Sequence, residues 1–411
     1  MSFTPSRAAA CAALLAAGLA AAGAAQATTR VLFVGNSYTF GRTNPVMSYN
    51  AGQVTDLTAA MWAADATGSN AFEPHPWGGV PGVFKQFTVQ AGLDYEVALS
   101  TRNAASLRGH YLNSNPAGWD LRGNIGSRQW DQVVLQEQSD EALPRQPGLS
   151  SNPAYFEAYA RQIERYVHDG AATSYRERDL IGGTTAACQA ATGASAGTCN
   201  LLRNIPANAN ASAATQLYLY QTWARPNLIN APSTTVTDPV TGVVTPTGTP
   251  APSFYPSLEA MTADLHAAYY GLAAGAPGFA GVAPVGDSFL RAVTEGVATR
   301  DMYAPDAATD GLVDLWWDDG THASTAGSYL SALTLFGTLT GRDPASLGAG
   351  EIAARDLGLS PSQATALQRV ASLQLGFTPA VPEPGSWALM AAGLAAVAGL
   401  ARRRAAGRRA G

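Results

Sequence analysis

The side chains best suited to covalent chemistry lie at the two ends of the central region. Arg30-Val31-Leu32-Phe33-Val34 is a short apolar run that leads straight into Gly35-Asn36-Ser37-Tyr38-Thr39. A small residue and then an exposed serine, at the end of a strand, is where a nucleophile belongs. Gly35 permits a tight turn there that a side chain would block. Far downstream comes Asp318-Asp319-Gly320-Thr321-His322, just before a helical stretch. Asp319 and His322 are three apart, so a single turn lets the carboxylate hold the imidazole. In such a set Asp319 fixes the tautomer, His322 removes the Ser37 proton, and Ser37 attacks a carbonyl.

Other residues compete for these roles. Pro284-Val285-Gly286-Asp287-Ser288 holds a literal Gly-Asp-Ser, but only 34 residues separate Ser288 from His322, too few to lay down a sheet between them. A helix is expected to start there, capped by Asp287 or Ser288. His75 sits between prolines, His110 is placed to line a cleft, His168 ends a helix where its partial charge suits the dipole, and His266 lies on a helix. No cluster of histidines and carboxylates suggests a metal, and no cofactor is called for. Trp62, Trp77, Trp119, Trp316 and Trp317 read first as core packing and second as platforms for a sugar ring.

The elements that must position these residues alternate. Strand-like runs occupy Arg30–Val34, Tyr95–Leu99, Asp131–Leu135, Gln216–Trp223 and Ala280–Val285. They are short and apolar, as buried parallel strands should be. Helical spacing follows Asn152-Pro153 through Phe156, Tyr159, Ile163 and Val167 to Gly170. It recurs over Leu258–Leu272, over Tyr329–Phe336 before Gly341, and near 361–373. This alternation predicts one flavodoxin-like α/β/α sandwich with about five parallel strands, which binds ligands at the carboxyl ends of its strands. Residues 46–80, 171–214 and 231–253 read as insertions in a domain over 28–344. In the last of them Asp238-Pro239-Val240-Thr241-Gly242 suits a hairpin turn. Residues 345–380 read as a helical extension and linker.

Composition narrows the function. Of 411 residues, 46% are hydrophobic and 13% charged, enough apolar material for a large core. Lys85 is the one lysine among 25 basic residues, and the only tight basic cluster lies in the last ten. A phosphate-tracking nucleic-acid binder is excluded, because counterion release needs clustered cations.

Both ends read as sorting segments. Residues 1–27 have a positive Arg7, an apolar stretch from Ala8 to Ala22 and Ala25-Gln26-Ala27 as a signal-peptidase site. At the other end, Val381-Pro382-Glu383-Pro384 precedes an apolar run from Trp387 to Ala401, then Arg402, Arg403 and Arg404. That run has 15 residues, short for a span that needs ~17–25. Arginines at its end would stay in the cytoplasm. Pro-Glu-Pro, apolar segment and Arg cluster over 381–411 resemble the PEP-CTERM sorting signal of Gram-negative bacteria. That resemblance implies an exosortase partner, a transient inner-membrane anchor, and a destination at the cell surface or in its matrix. Without both ends the basic residues fall to 19 and the acidic to 29, about −10, which suits solubility outside the cell. In an exported chain Cys188 and Cys199 most simply form one disulfide.

The chemistry-bearing blocks together resemble the SGNH (GDSL-like) hydrolase family, whose first block is Gly-Asp-Ser and whose last is Asp-x-x-His. Here Asn36 stands where most members have Asp, and a Gly-Asn-Ser-Tyr-Thr subgroup looks closer. The resemblance extends to Trp130-Asp131-Gln132-Val133-Val134-Leu135-Gln136-Glu137-Gln138-Ser139. It implies a serine esterase with Ser37, His322 and Asp319 as a triad. The implied oxyanion hole comprises the N–H of Ser37, a backbone N–H near Ala104 and the amide of Gln138. Ala104 stands where a Gly is usual, and Gln138 where an Asn is usual, with Gln136 and Glu137 as fallbacks. The implied substrates are acyl esters, such as acetyl groups on carbohydrate. Two other readings stay open: a non-catalytic matrix-binding protein on the same fold, and an acyltransferase.

Overall fold

Val31, Leu32, Phe33 and Val34 are fully buried, and the strand they form, β1 (Thr29–Gly35), lies inside a six-stranded sheet. The structure, a computed structural model, describes residues 27–64, 75–113, 119–238 and 241–377. The expected leader (but for Ala27) and the expected sorting tail over 381–411 lie outside the described residues, as does the Trp62 side chain.

After β1 the sheet takes β2 (Val54–Asp56), β3 (Tyr95–Thr101), β4 (Gln132–Gln136), β5 (Gln216–Tyr220) and β6 (Phe279–Ala283). The order across it is β6-β5-β4-β1-β3-β2, and every pairing is parallel. The register sets Val31 beside Val97 and Leu32 beside Val133. The five expected strands therefore stand in the flavodoxin-like order. The sixth, β2, is a three-residue edge strand inside the stretch read as an insertion at 46–80, too short to leave a pattern.

Helices flank the sheet. The first is one turn, α1 (Ser37–Phe40), followed by α2 (Gly79–Gln90), α3 (Leu107–Leu112), α4 (Pro153–His168), α5 (Leu258–Ala274), α6 (Val285–Thr294), α7 (Thr325–Thr340) and α8 (Pro361–Gln374). Phe87 of α2 meets Tyr329 and Phe336 of α7 edge-on, and Tyr111 of α3 meets Tyr159 of α4. Helix α7 begins at Ser324, whose Oγ accepts from Gly327 N, and ends at Gly341 in the left-handed region. The segment carrying α8 packs on this body, with Gln368 Nε2 donating to Tyr329 Oη (3.2 Å).

Two of the stretches read as insertions carry small antiparallel units of their own. One carries the antiparallel pair Thr173–Arg176 and Leu202–Ile205 and the disulfide Cys188–Cys199. The other is a hairpin of Thr235–Thr237 and Val244–Pro246, closed by Asp238, whose carbonyl accepts from Gly242 N (2.9 Å).

Candidate active site

Chain order reverses around β1, since β3 pairs on one side of it and β4 on the other. A crevice at the carboxyl ends of such strands is the usual ligand site. Ser37 follows β1 there, as the first residue of α1, so its N–H has no acceptor within the helix. The turn is compressed. A Cβ on Gly35 would fall 2.2 Å from Thr39 Oγ1 and 2.4 Å from Gln136 Oε1, so only glycine fits. Gln136 Oε1 accepts from Asn36 N (2.8 Å) and Thr39 Oγ1 (2.9 Å), which fixes the turn from β4.

The Asp319–His322 turn closes on this serine. His322 Nε2 lies 2.8 Å from Ser37 Oγ, and His322 Nδ1 lies 2.5 Å from Asp319 Oδ2. The other carboxylate oxygen, Oδ1, accepts from Thr321 N (2.8 Å) and His322 N (2.9 Å). Gly320 sits at φ +63°, and a Cβ there would meet Tyr303 Oη at 2.0 Å. The Thr321 carbonyl accepts from Tyr38 Oη (2.7 Å) and Trp223 Nε1 (3.0 Å), whose rings stack on each other 3.8 Å apart. Tyr38, next to Ser37, therefore also anchors the loop that carries the histidine.

The electrostatics favour a neutral imidazole. Burial lowers the His322 pKa, Asp319 opposes that, and the charges of Arg42 and Arg225 lower it again, leaving it below the usual value. Burial works to raise the Asp319 carboxyl. Hydrogen bonds from the His322 ring and two backbone N–H groups outweigh it, and the carboxyl stays below its ordinary range. With Nδ1–H held by Asp319, Nε2 is an acceptor facing the Ser37 hydroxyl. Such a chain can take a proton from the serine and return it to a leaving group.

The second loop carries Ala104 at φ +55°, a conformation that glycine adopts freely and alanine rarely does. The backbone that a glycine would give is thus kept despite the side chain. Asn36 Nδ2 donates to Ala105 O (3.0 Å), while Asn36 Oδ1 accepts from Tyr38 N (3.1 Å). An Asp at position 36 has no donor to offer Ala105. Gln138 spends its amide locally, with Nε2 donating to Ser139 Oγ (3.2 Å) and Oε1 accepting from Asp140 N (3.0 Å). Gln136 supports the Ser37 turn, and its Nε2 donates to the Glu137 carbonyl. Glu137 is an acceptor: its buried Oε1 takes Leu107 N (2.8 Å) and Gln138 N (2.7 Å), joining both loops, and burial raises its pKa.

The remaining candidates fall elsewhere. Ser288 lies inside the first turn of α6, fully buried, with Oγ against Pro284 O (3.0 Å) and Thr334 Oγ1 (2.9 Å). The expected cap by Asp287 or Ser288 is not made, because the helix starts earlier, at Val285, after Pro284. Asp287 instead meets Gln221 and His266. His75 pairs with Asp56, and His168 with Glu164. Trp77 and Trp316 are core residues, Trp119 lies under Arg102, and Trp317 meets the His322 ring edge-on. His110 does not line the cleft but sits buried beneath it, with Nε2 donating to Gly35 O (2.8 Å) and Nδ1 accepting from Trp119 Nε1 (3.1 Å).

Sequence reasoning missed Arg225, five residues past the end of β5 and two beyond Trp223. Its guanidinium donates to Asn227 Oδ1, to Ser139 Oγ (2.9 Å) and to Thr321 Oγ1 (3.3 Å), and lies 3.4 Å from Asp140 Oδ1. It staples the β4 loop to the histidine turn. Its one signal was position, past the carboxyl end of a parallel strand.

Residues 380–405 match the PEP-CTERM protein-sorting motif. No curated protein matches the chain. Among solved structures it is similar to a protein of Slackia heliotrinireducens described as a candidate SGNH hydrolase. That likeness has 16% identity over 76% of this chain and 99% of the other, with a TM-score of 0.36. It is also similar to a DUF4886 family protein of Bacteroides uniformis ATCC 8492, with 13% identity over 85% of this chain and 95% of the other, and a TM-score of 0.42.

Proposed function

We propose that the protein is an exported serine esterase of SGNH type, acting on acyl esters such as acetylated carbohydrate. The observation that carries this reading is the continuous hydrogen-bonded chain from Ser37 Oγ through His322 to Asp319. Ser37 Oγ attacks the ester carbonyl as His322 Nε2 takes its proton. The tetrahedral oxyanion is met by the N–H of Ser37, a backbone N–H near Ala104, and the second amide hydrogen of Gln138. Collapse expels the alcohol, which takes the proton from His322, and leaves an acyl-serine. Water, deprotonated by His322, then attacks that ester, and Ser37 recovers its proton as the acid departs.

The sorting motif at 380–405 supports export and handling by an exosortase. The test is turnover of p-nitrophenyl acetate by wild type, Ser37→Ala and Ser288→Ala. Loss of turnover in Ser37→Ala alone supports the reading. Equal inactivity of wild type and Ser37→Ala on short esters and acetylated sugars overturns it in favour of a non-catalytic surface protein.

A further inference from the structure

A cavity of about 330 Å³ opens between the histidine turn and the Thr-rich hairpin, which forms its wall. Asn227, Ser233, Thr235, Thr237, Tyr303 and Thr321 line it, and Asp319 also borders it. Its size lies at the lower end of small-molecule sites, about 300–1,000 Å³. Ser37 is not in the lining, but Asp319 is separated from it by a single imidazole ring.

The first strand of the hairpin presents threonines, not its valine, to the cavity. Side chains alternate between faces along a strand. Thr235 and Thr237 are half-buried and turn toward the cavity, whereas Val236 between them is 60% exposed and Val243 across the turn is 58% exposed. A strand that packed on apolar residues would point its valines inward. The enclosed face therefore carries both hydroxyls, with half-buried Val244 opposite Thr237, and offers a ligand polar groups beside an apolar one.

The wall is also fixed to the candidate catalytic turn. Thr234 N donates to Thr249 O (2.8 Å), Thr247 N donates to Thr234 O (2.9 Å), and Phe254 N donates to Leu228 O (2.8 Å). The 226–230 turn beneath it joins the histidine turn through Asn227 N to Gly320 O (3.2 Å). The cavity is thus pre-organised by backbone bonds, which spares a ligand the cost of ordering it. Of the described lining residues none is cationic and Asp319 is the one acid. Arg225 stands behind Asn227 and Thr321, but its guanidinium is spent on their oxygens and on Ser139 and Asp140, so an anion meets a carboxylate in the wall with no free cation beside it among the described residues. Leu228, Ala251 and Pro252 add an apolar strip beside the hydroxyls.

We infer that this cavity is a subsite for a neutral polyhydroxylated group, a glycan unit next to the ester that reacts at Ser37. The inference rests on the esterase reading for the position of the ester, but not for the occupancy of the cavity. Thr235→Val with Thr237→Val removes both hydroxyls and keeps shape and β-propensity. Val236→Thr on the outer face is the control.

Two measurements separate the subsite from the nucleophile. The first compares kcat/KM on acetylated neutral oligosaccharide with that on p-nitrophenyl acetate, which carries no polyol. In the double variant the ratio falls roughly tenfold or more, through KM on the glycan, as two lost hydrogen bonds imply. In Val236→Thr it stays at the wild-type value. The second is calorimetric binding of unacetylated gluco-, xylo- and mannohexaose and of an oligogalacturonate to Ser37→Ala. At least one neutral hexaose binds, about tenfold more weakly when the two threonines are replaced, and the anionic oligomer does not bind. An unchanged ratio, no binding of any neutral hexaose, or binding indifferent to the double substitution overturns the inference. Binding that depends on the threonines in a protein without esterase activity overturns the esterase reading and leaves the subsite standing.

Discussion

Asn36 Nδ2 donates to the carbonyl of Ala105 at 3.0 Å, tying the residue before the candidate nucleophile to the loop after β3. In the proposed reaction both loops supply oxyanion donors, so this amide would hold their separation. Asn36→Asp keeps the acceptor for Tyr38 N but turns a carboxylate toward the Ala105 carbonyl. With Asn36 2% exposed, the lost donor costs about 1–3 kcal/mol. Urea unfolding should register that loss, and p-nitrophenyl acetate turnover should fall with it. A variant as stable and active as wild type would show that the bridge does not hold the loops.

Ala104→Gly tests the left-handed backbone. At φ +55° an L-residue bears about 1–2 kcal/mol of strain, while glycine adds about 0.5–1 kcal/mol of chain entropy. The expected result is a small gain in stability, up to about 1 kcal/mol, with turnover retained because the donor is backbone. Ala104→Val should lose both, since a β-branched residue resists that conformation. Equal urea midpoints for all three proteins would contradict the assigned strain.

Arg225→Met tests the electrostatics of His322. Burial, Arg42 and Arg225 together depress the imidazole pKa, so the acid limb of kcat/KM in wild type should lie below the ordinary His value near 6.5. Removing one cation raises the pKa, and the limb moves toward higher pH. Arg225→Lys keeps the charge but not the fork that holds Ser139 and Thr321. Its limb should stay near wild type while kcat falls. A limb that does not move in Arg225→Met would reduce Arg225 to a purely structural staple.

Asp319→Asn separates orientation from proton capacity. The amide cannot hold the Nδ1–H tautomer, and triads elsewhere lose about 10⁴-fold in kcat on this change. Burst kinetics with p-nitrophenyl acetate should show slow acylation with the binding of substrate preserved. Near-wild-type acylation would remove Asp319 from the mechanism.

The readable parts of this chain are those that short-range chemistry dictates. Val31–Val34 is apolar throughout because β1 is buried on both faces, and Gly35 is glycine because Thr39 and Gln136 leave no room for a Cβ. Asp319 and His322 lie within one turn, so their contact can be read from spacing. The strand β2 could not be read, since three edge residues carry no period. Gln138 could be named as an amide at the right strand end, but its engagement with Ser139 and Asp140 depends on how the loop folds back. Arg225 and Glu137 act on loops distant in sequence, and nothing local marks an arginine that will meet Thr321 or a glutamate that will accept Leu107 N. His110 is the clearest case. Its neighbours in sequence suggested a cleft, yet its partners are Gly35 and Trp119, and it is fully buried.

That burial makes His110 a source of acid sensitivity. Desolvation lowers its pKa to about 4, against the pull of the hydrogen bond to Gly35 O. Nε2–H donates to that carbonyl and Nδ1 accepts from Trp119, so the neutral ring is the one that fits. An unfolded histidine titrates near 6.5. Below that pH the unfolded chain takes up a proton that the folded chain refuses, so stability is complete above about 6.5 and falls as pH drops toward 4. The loss amounts to roughly 3 kcal/mol. Buried Glu137 and half-buried Glu141, whose carboxyls are raised by burial, act with the opposite sign and lose stability as pH rises. The two effects separate by substitution. His110→Gln keeps a donor for Gly35 O but cannot titrate, so it should be less stable than wild type at pH 7.5 and should show a flatter decline between pH 6.5 and 4. Urea unfolding across that range measures both slopes. Parallel curves for the two proteins would mean that His110 is not the group that acid attacks, and that the end of β1 is held at low pH by other contacts.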